Sequence, residues 1–295
     1  MPVSPIRISL GAALLASLAL AGCGGGSTAQ YEGSIVTGRV LMGPQSASDT
    51  SGGPVAGATV CAYAFVKGES AYSIDPATAS AYIYSNTPVA PCATTDAQGN
   101  FSFNLLNGVF GPVLLQATNG SYMFGGTSRT LLPLTSANLA MPANASNYFI
   151  ATNTTLQAAV NVGGGGTVST NVTPLTTFAV ARSNPIAGFT MTTYLDNLSN
   201  IAAQLRITGV SDLSNAVPGN NATDTSGTYG QAMLGVEQYL ATMTPNGSNA
   251  DDPYGANLLN WTDLGSATTA STVSADYTTA YQAANTGATE VFNFN

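Results

Sequence analysis

The chain has 295 residues, 44% of them hydrophobic and only 7% charged, with six basic residues against 14 acidic ones. That balance excludes recognition of nucleic acid through a basic surface. Histidine is absent and Lys67 is the only lysine, so neither a Ser-His-Asp or Cys-His mechanism nor a histidine-ligated catalytic zinc can be assembled, which leaves carboxylate chemistry and oxygen-ligated calcium.

The uncharged run from Ile8 to Leu20, preceded by Arg7, is too short to span a bilayer but suits the apolar core of a signal peptide. It ends in Leu20-Ala21-Gly22-Cys23, which resembles the lipobox of bacterial lipoproteins. The resemblance implies cleavage after residues 1–22, a diacylglycerol on the Cys23 thiol and a further acyl chain on its new amino group. The alternative is a lone cysteine behind an ordinary signal peptide. Two or more acyl chains make a durable anchor, and no other apolar run is long enough to cross a bilayer, so the membrane is expected as a partner through the lipid alone. Gly24 is not the aspartate that retains lipoproteins at the inner membrane, so the resemblance implies the outer membrane, on either its periplasmic or its cell-surface face. Residues 23–32 then read as a flexible glycine-rich tether.

With Cys23 taken by lipid, Cys61 and Cys92 are left as a pair in an oxidising compartment, and a disulfide between them is expected. Two buried free thiols are the alternative. Closing a loop of that length would stabilise the fold by about 3–4 kcal/mol on chain-entropy grounds.

Residues 33–145 read as all-β. The run Ser34 to Leu41 alternates, and Ala58 to Phe65 follows a Gly-Gly-Pro turn. Asp96-Ala97-Gln98-Gly99-Asn100 separates Ala93-Thr94-Thr95 from the alternating Phe101 to Leu105, which predicts a hairpin with Gly99 at a positive-φ position. Gly111-Pro112 opens a further strand through Ala117.

Thr37-Gly38-Arg39-Val40, Pro54 to Val60, Thr94 to Phe101 and Gly111 to Leu115 together resemble the carboxypeptidase regulatory-like domain, a small transthyretin-like β-sandwich of secreted bacterial proteins. The resemblance covers roughly 85 residues in order and spacing, interrupted by an insertion between about 66 and 90. It implies a scaffold or binding module without a set activity. In the insertion, Tyr72, Tyr82 and Tyr84 are candidate ligand contacts, because tyrosine on loops supplies rigid contact area; a plain surface loop pinned at its base by the disulfide is the simpler reading of the segment.

Residues 146–172 read as a β-hairpin extension, Thr155 to Val162 and Thr167 to Val172, with Gly163 to Gly166 as a flexible tip. The glycines lack a following Lys-Ser or Lys-Thr, so they are not a phosphate loop. Residues 173–295 read as a helical domain. Thr173-Pro174 is an N-cap followed by proline at the first helical position, opening a helix through Arg182. Leu195, Leu198, Ile201, Ala202 and Leu205 recur at helical spacing, as do Tyr229, Met233, Val236, Glu237 and Leu240 in a helix ending near Met243, with Glu237 on its polar flank. Shorter helices are expected at Ala256 to Leu264 and Ser274 to Ala284. Asn171 to Thr177 ahead of helices resembles the C-terminal half of uncharacterised proteobacterial lipoproteins, which brings no activity with it.

The loops at Gly219 to Asp224 and Asp251-Asp252-Pro253 carry hard oxygen ligands but lack the twelve-residue spacing of a calcium loop, and Asp196, Asp212, Glu237 and Asp263 show no spacing that pairs two of them for glycosidic chemistry. No enzyme, cofactor or metal is therefore expected. The fold class is a regulatory-like β-sandwich followed by a mainly α-helical C-terminal domain. The expected function is a non-catalytic, lipid-anchored envelope or surface protein that binds another protein or organises the envelope; the alternative is a glycan partner stacked on Tyr72, Tyr82, Tyr84 or Trp261.

Overall fold

A computed structural model describes residues 33–44, 53–65, 88–131 apart from 107, 125 and 126, 156–183 apart from 164, 189–219, 227–242 and 267–294. Cys23, Tyr72, Tyr82, Tyr84, Trp261 and the expected helix at 256–264 lie outside these residues.

The strands run β1 (Ile35–Arg39), β2 (Thr59–Ala64), β3 (Ala93–Thr94), β4 (Asn100–Asn104), β5 (Gly111–Thr118), β6 (Ser121–Phe124), β7 (Thr127–Thr130), β8 (Leu156–Val162) and β9 (Thr167–Ser169). Four helices follow among the described residues: α1 (Pro174–Arg182), α2 (Met191–Gln204), α3 (Gly227–Thr242) and α4 (Ala267–Ala284). The strands form a mixed sheet in the order β4-β1-β9, an antiparallel sheet in the order β3-β2-β5-β8, and the β6-β7 pair. The result is a mixed, β-rich fold with helices after the strands.

Pattern explains placement in the first sheet. In β4, alternation sends Phe101 and Phe103 into the core and leaves Ser102 and Asn104 exposed. The tight turn between β3 and β4 is as expected: the Gly99 amide donates to the Asp96 carbonyl, and Gly99 has φ 75°. Beyond the turn, however, β3 pairs with β2 while β4 pairs with β1. The expected hairpin is thus a corner between two sheets: Phe101 is carried into the core on β4 beside β1, while Thr94 stays exposed beside β2.

The glycine run is corrected in the same way. β8 pairs with β5 antiparallel, and β9 pairs with β1 in parallel. Residues 156–169 are therefore a crossover from one sheet to the other, and not a hairpin with a glycine tip. Gly165 and Gly166, at φ 94° and 86°, take backbone conformations that side chains disfavour.

β5 and β8 are buried on both faces, apart from the ends of β5 and Asn161 of β8. For β8 the second face is covered by α1 and α2, which pack on it, and its Ala158-Ala159 pair leaves room for a helix. α1 begins with a reciprocal cap, since the Thr176 amide donates to Thr173 Oγ1 (3.1 Å) and the Thr173 amide donates to Thr176 Oγ1 (2.8 Å). The same turn closes the free edge of β8: the Gln157 amide donates to Thr177 Oγ1 (2.8 Å) and its carbonyl accepts from Thr176 Oγ1 (2.7 Å). A sheet edge that would otherwise be open is satisfied by a helix.

Asn171 ties the first sheet to the segment after α2. Its Oδ1 accepts from the Arg39 amide at 3.1 Å, and its Nδ2 donates to the Ala216 carbonyl at 2.9 Å. α2 starts at an N-cap, Thr190, and buries Tyr194, Leu198 and Ile201 at helical spacing. α3 and α4 pack closely because Gly235 leaves no side chain against Tyr277 and Tyr281. The C-terminal tail then lies along α4, where Phe292 meets Tyr277 edge-on at 4.7 Å and the Phe294 amide donates to Ser274 Oγ. Buried side chains of the sheets and of the helices belong to one continuous core.

Candidate functional site

The disulfide expected between Cys61 and Cys92 is present. Its position follows from strand register: Thr59 opposes Thr94 and Val60 opposes Ala93, so the two cysteines face one another next along the ladder. Their Cα atoms are 4.4 Å apart, the spacing of directly opposed residues in an antiparallel pair. Val60 and Ala62 point into the core, which turns Cys61 to the other face of the sheet. The bridge therefore closes, on the outside of the fold, the stretch of chain that contains Tyr72, Tyr82 and Tyr84.

One cleft of about 570 Å3 lies between α2 and the segment that follows it. Leu195, Leu198, Ile207 and Leu213 give it apolar walls, while Ser199 and Asp212 supply polar groups. Leu195 is 46% exposed there. Asp212 is engaged within its own turn. Its carboxylate accepts from the Ser214 amide at 2.8 Å, from the Ser214 hydroxyl and from Asn215 Nδ2 at 2.6 Å. Burial pushes this carboxyl up, but the bonds from Ser214 and Asn215 outweigh it and hold it below the usual carboxylate range. It stays ionised, with its bonding capacity spent on its own turn.

Among the described residues the other acids stand apart from this cleft. Asp96 accepts from Asn100 Nδ2 and from the Asn100 and Gln98 amides, which hold its exposed carboxyl low. Glu237 departs from expectation: it is 1% exposed and belongs to the core side of α3, not to a polar flank. Burial raises its carboxyl to about 8, against a weaker opposing pull from Arg129, and its Oε1 has no hydrogen-bond partner among the described residues. Helical spacing placed Glu237 beside Met233, Val236 and Leu240, and that company was the available sign of burial. Among the described residues no group of three metal-ligating side chains is placed to hold an ion.

A feature that the sequence reading passed over is apolar exposure beside the entry of the chain. Leu106 and Phe110, between β4 and β5, are 60% and 56% exposed. The signal was legible in principle, because the alternation that buries Phe101, Phe103 and Leu105 must turn Leu106 outward.

No protein-family model and no curated protein matches this chain. Among solved structures, a candidate carbohydrate-binding protein from Pseudomonas aeruginosa is similar at 16% identity and a TM-score of 0.26, over 50% of this chain and 92% of that one. A DUF3823 family protein from Parabacteroides merdae is similar at 14% identity and a TM-score of 0.21, over 48% of this chain and 46% of that one. Overlaps this small leave the ligand of this chain to be argued from its own residues.

Proposed function

We propose that this chain is a non-catalytic lipoprotein of the bacterial outer membrane, held by lipid on Cys23, whose regulatory-like β-sandwich serves as a contact module for another envelope protein. The observation that carries the reading is the Cys61–Cys92 bridge. Strand register puts the two thiols together, and a bridge of this kind persists in the oxidising compartment that an exported chain enters. The lipobox at Leu20 to Cys23 supplies the reason for export and for retention.

The lack of catalysis is supported by the state of the acids. Asp212, the carboxylate of the cleft, is bonded into its own turn, and Glu237 is sealed in the core. Among the described residues Asp212 has no second carboxylate lining the cleft with it, as hydrolysis by paired acids requires.

The test is mass spectrometry of the N-terminal peptide together with fractionation of wild type and Cys23→Ala. Acyl chains on Cys23, and their loss with release of the variant from the membrane fraction, are the expected result; an unmodified cysteine or unchanged retention refutes the anchor. Protease shaving of intact and permeabilised cells then separates a cell-surface contact from a periplasmic one. Binding to a glycan array that disappears in Tyr72→Ala, Tyr82→Ala or Tyr84→Ala would replace the protein partner by a glycan.

A further inference from the structure

We propose that the loop bearing Leu106, Val109 and Phe110 is a membrane-contact element that seats one end of the protein on the lipid surface. The proposal rests on the reading of Cys23 as the lipidated residue.

The loop stands where the chain enters the fold. The Leu105 amide donates to the Ser34 carbonyl at 2.8 Å, and Ile35 opposes Asn104 on one side and Thr167 on the other. Residues 24–33 separate that point from Cys23. A glycine-rich stretch of roughly ten residues has a root-mean-square span of about 17–19 Å and a limit near ~36 Å. The lipid therefore keeps this end of the fold close to the headgroups, at an effective concentration on the order of millimolar, so that even weak partitioning of side chains decides orientation.

The loop is built to present apolar side chains. The Val109 amide closes a turn on the Leu106 carbonyl, with Gly108 at φ 90°, a backbone conformation that side chains disfavour. Beneath the turn, Phe103 and Leu105 are buried and hold its base. Above it, Leu106 and Phe110 stand out, and Ile35 adds a third apolar side chain at 37% exposure.

Charge favours a bilayer as the occupant. No charged residue occurs in 33–38, 101–118 or 156–172, the segments that form this end of β1, β4, β5, β8 and β9. Arg39 and Asp96 sit at the opposite end, by the turn between β3 and β4. Fourteen acidic residues against six basic ones repel an anionic leaflet, and the uncharged ends of these five strands meet it with less of that penalty than the end that carries Arg39 and Asp96.

The test uses the full lipidated protein carrying Trp261→Phe, which removes the only tryptophan, with a single new one from either Phe110→Trp or Gln98→Trp at the opposite end. Each is reconstituted in phosphatidylethanolamine and phosphatidylglycerol vesicles containing lipid brominated on the acyl chain. The expected result is a loss of about half the emission at position 110, with a blue shift, and none at position 98. Equal quenching at both positions, in protein that carries acyl chains and floats with the vesicles, overturns this proposal and leaves the anchor standing. Protein that neither carries acyl chains on Cys23 nor floats overturns both.

Discussion

Replacing Glu237 by glutamine should remove most of a pH dependence built into the core. The carboxyl titrates near 4.5 when exposed and at about 8 in the fold, where burial disfavours its charge. Below about pH 4.5 the group is neutral in both states and costs nothing electrostatically. As pH rises from there towards 8, the unfolded chain ionises first, so stability falls; above about 8 both states are ionised and the loss levels off. At about 1.4 kcal/mol per pH unit the gap sets a ceiling of about 5 kcal/mol, of which about 3 kcal/mol is felt by pH 7. The assay is urea unfolding of wild type and Glu237→Gln across that range, followed by circular dichroism. Titrations common to both proteins cancel in the difference between the two curves, and so does any constant cost of burying the new amide, which is about 1–3 kcal/mol. The difference should move in favour of the variant by about 3 kcal/mol between roughly pH 5 and pH 8. Parallel curves would show that Glu237 is ionised and solvated in the fold, and would refute the argument.

Three further outcomes follow from particular contacts. Cys61→Ser with Cys92→Ser opens a loop with a sequence separation of 31 and should lower the urea-derived stability by about 3–4 kcal/mol, with the wild type under reducing conditions behaving alike. Thr177→Val keeps the shape of the side chain but strips the Gln157 amide of its acceptor at the edge of β8; a loss of about 1–3 kcal/mol and faster hydrogen exchange at Gln157 are expected, and unchanged exchange would mean that the edge is satisfied otherwise. Gly38→Ala drives a methyl group into the Thr170 carbonyl and the Phe101 ring. It should separate β1 from the segment after β9 and lower the melting temperature by several degrees, as measured by calorimetry; a neutral effect would refute the close approach.

Glycine 38 shows where the line between sequence and structure runs. The Thr-Gly-Arg-Val motif marks a strand from its alternation alone, but the reason for glycine lies in residue 170, far along the chain, whose backbone passes too close for a side chain. The turn at Asp96 behaves similarly. Its residues specify the turn locally, through side-chain bonds and a positive φ, yet they carry no information on whether the flanking strands pair with each other or with β2 and β1. Register sorted the cysteines: once β2 and β3 are paired, Cys61 and Cys92 must meet, which agrees with the pairing deduced from counting thiols. Glu237 was misplaced because helical spacing identifies one apolar face, whereas α3 is covered on more than one side.

The sequence by itself determined most of the strands and the helices around Phe178, Leu198 and Met233, since periods of 2 and 3.6 and the cap at Thr173 act over a few residues. It also determined the chemistry that is absent, because a chain without histidine has no imidazole base to offer. Only the tertiary structure decided that the helices share a core with the sheets, that the glycine run crosses between sheets, and that the loop of Leu106 and Phe110 lies beside the start of β1. These depend on which distant surfaces bury one another, a choice made by the summed apolar area of the whole chain and encoded in no single stretch of it.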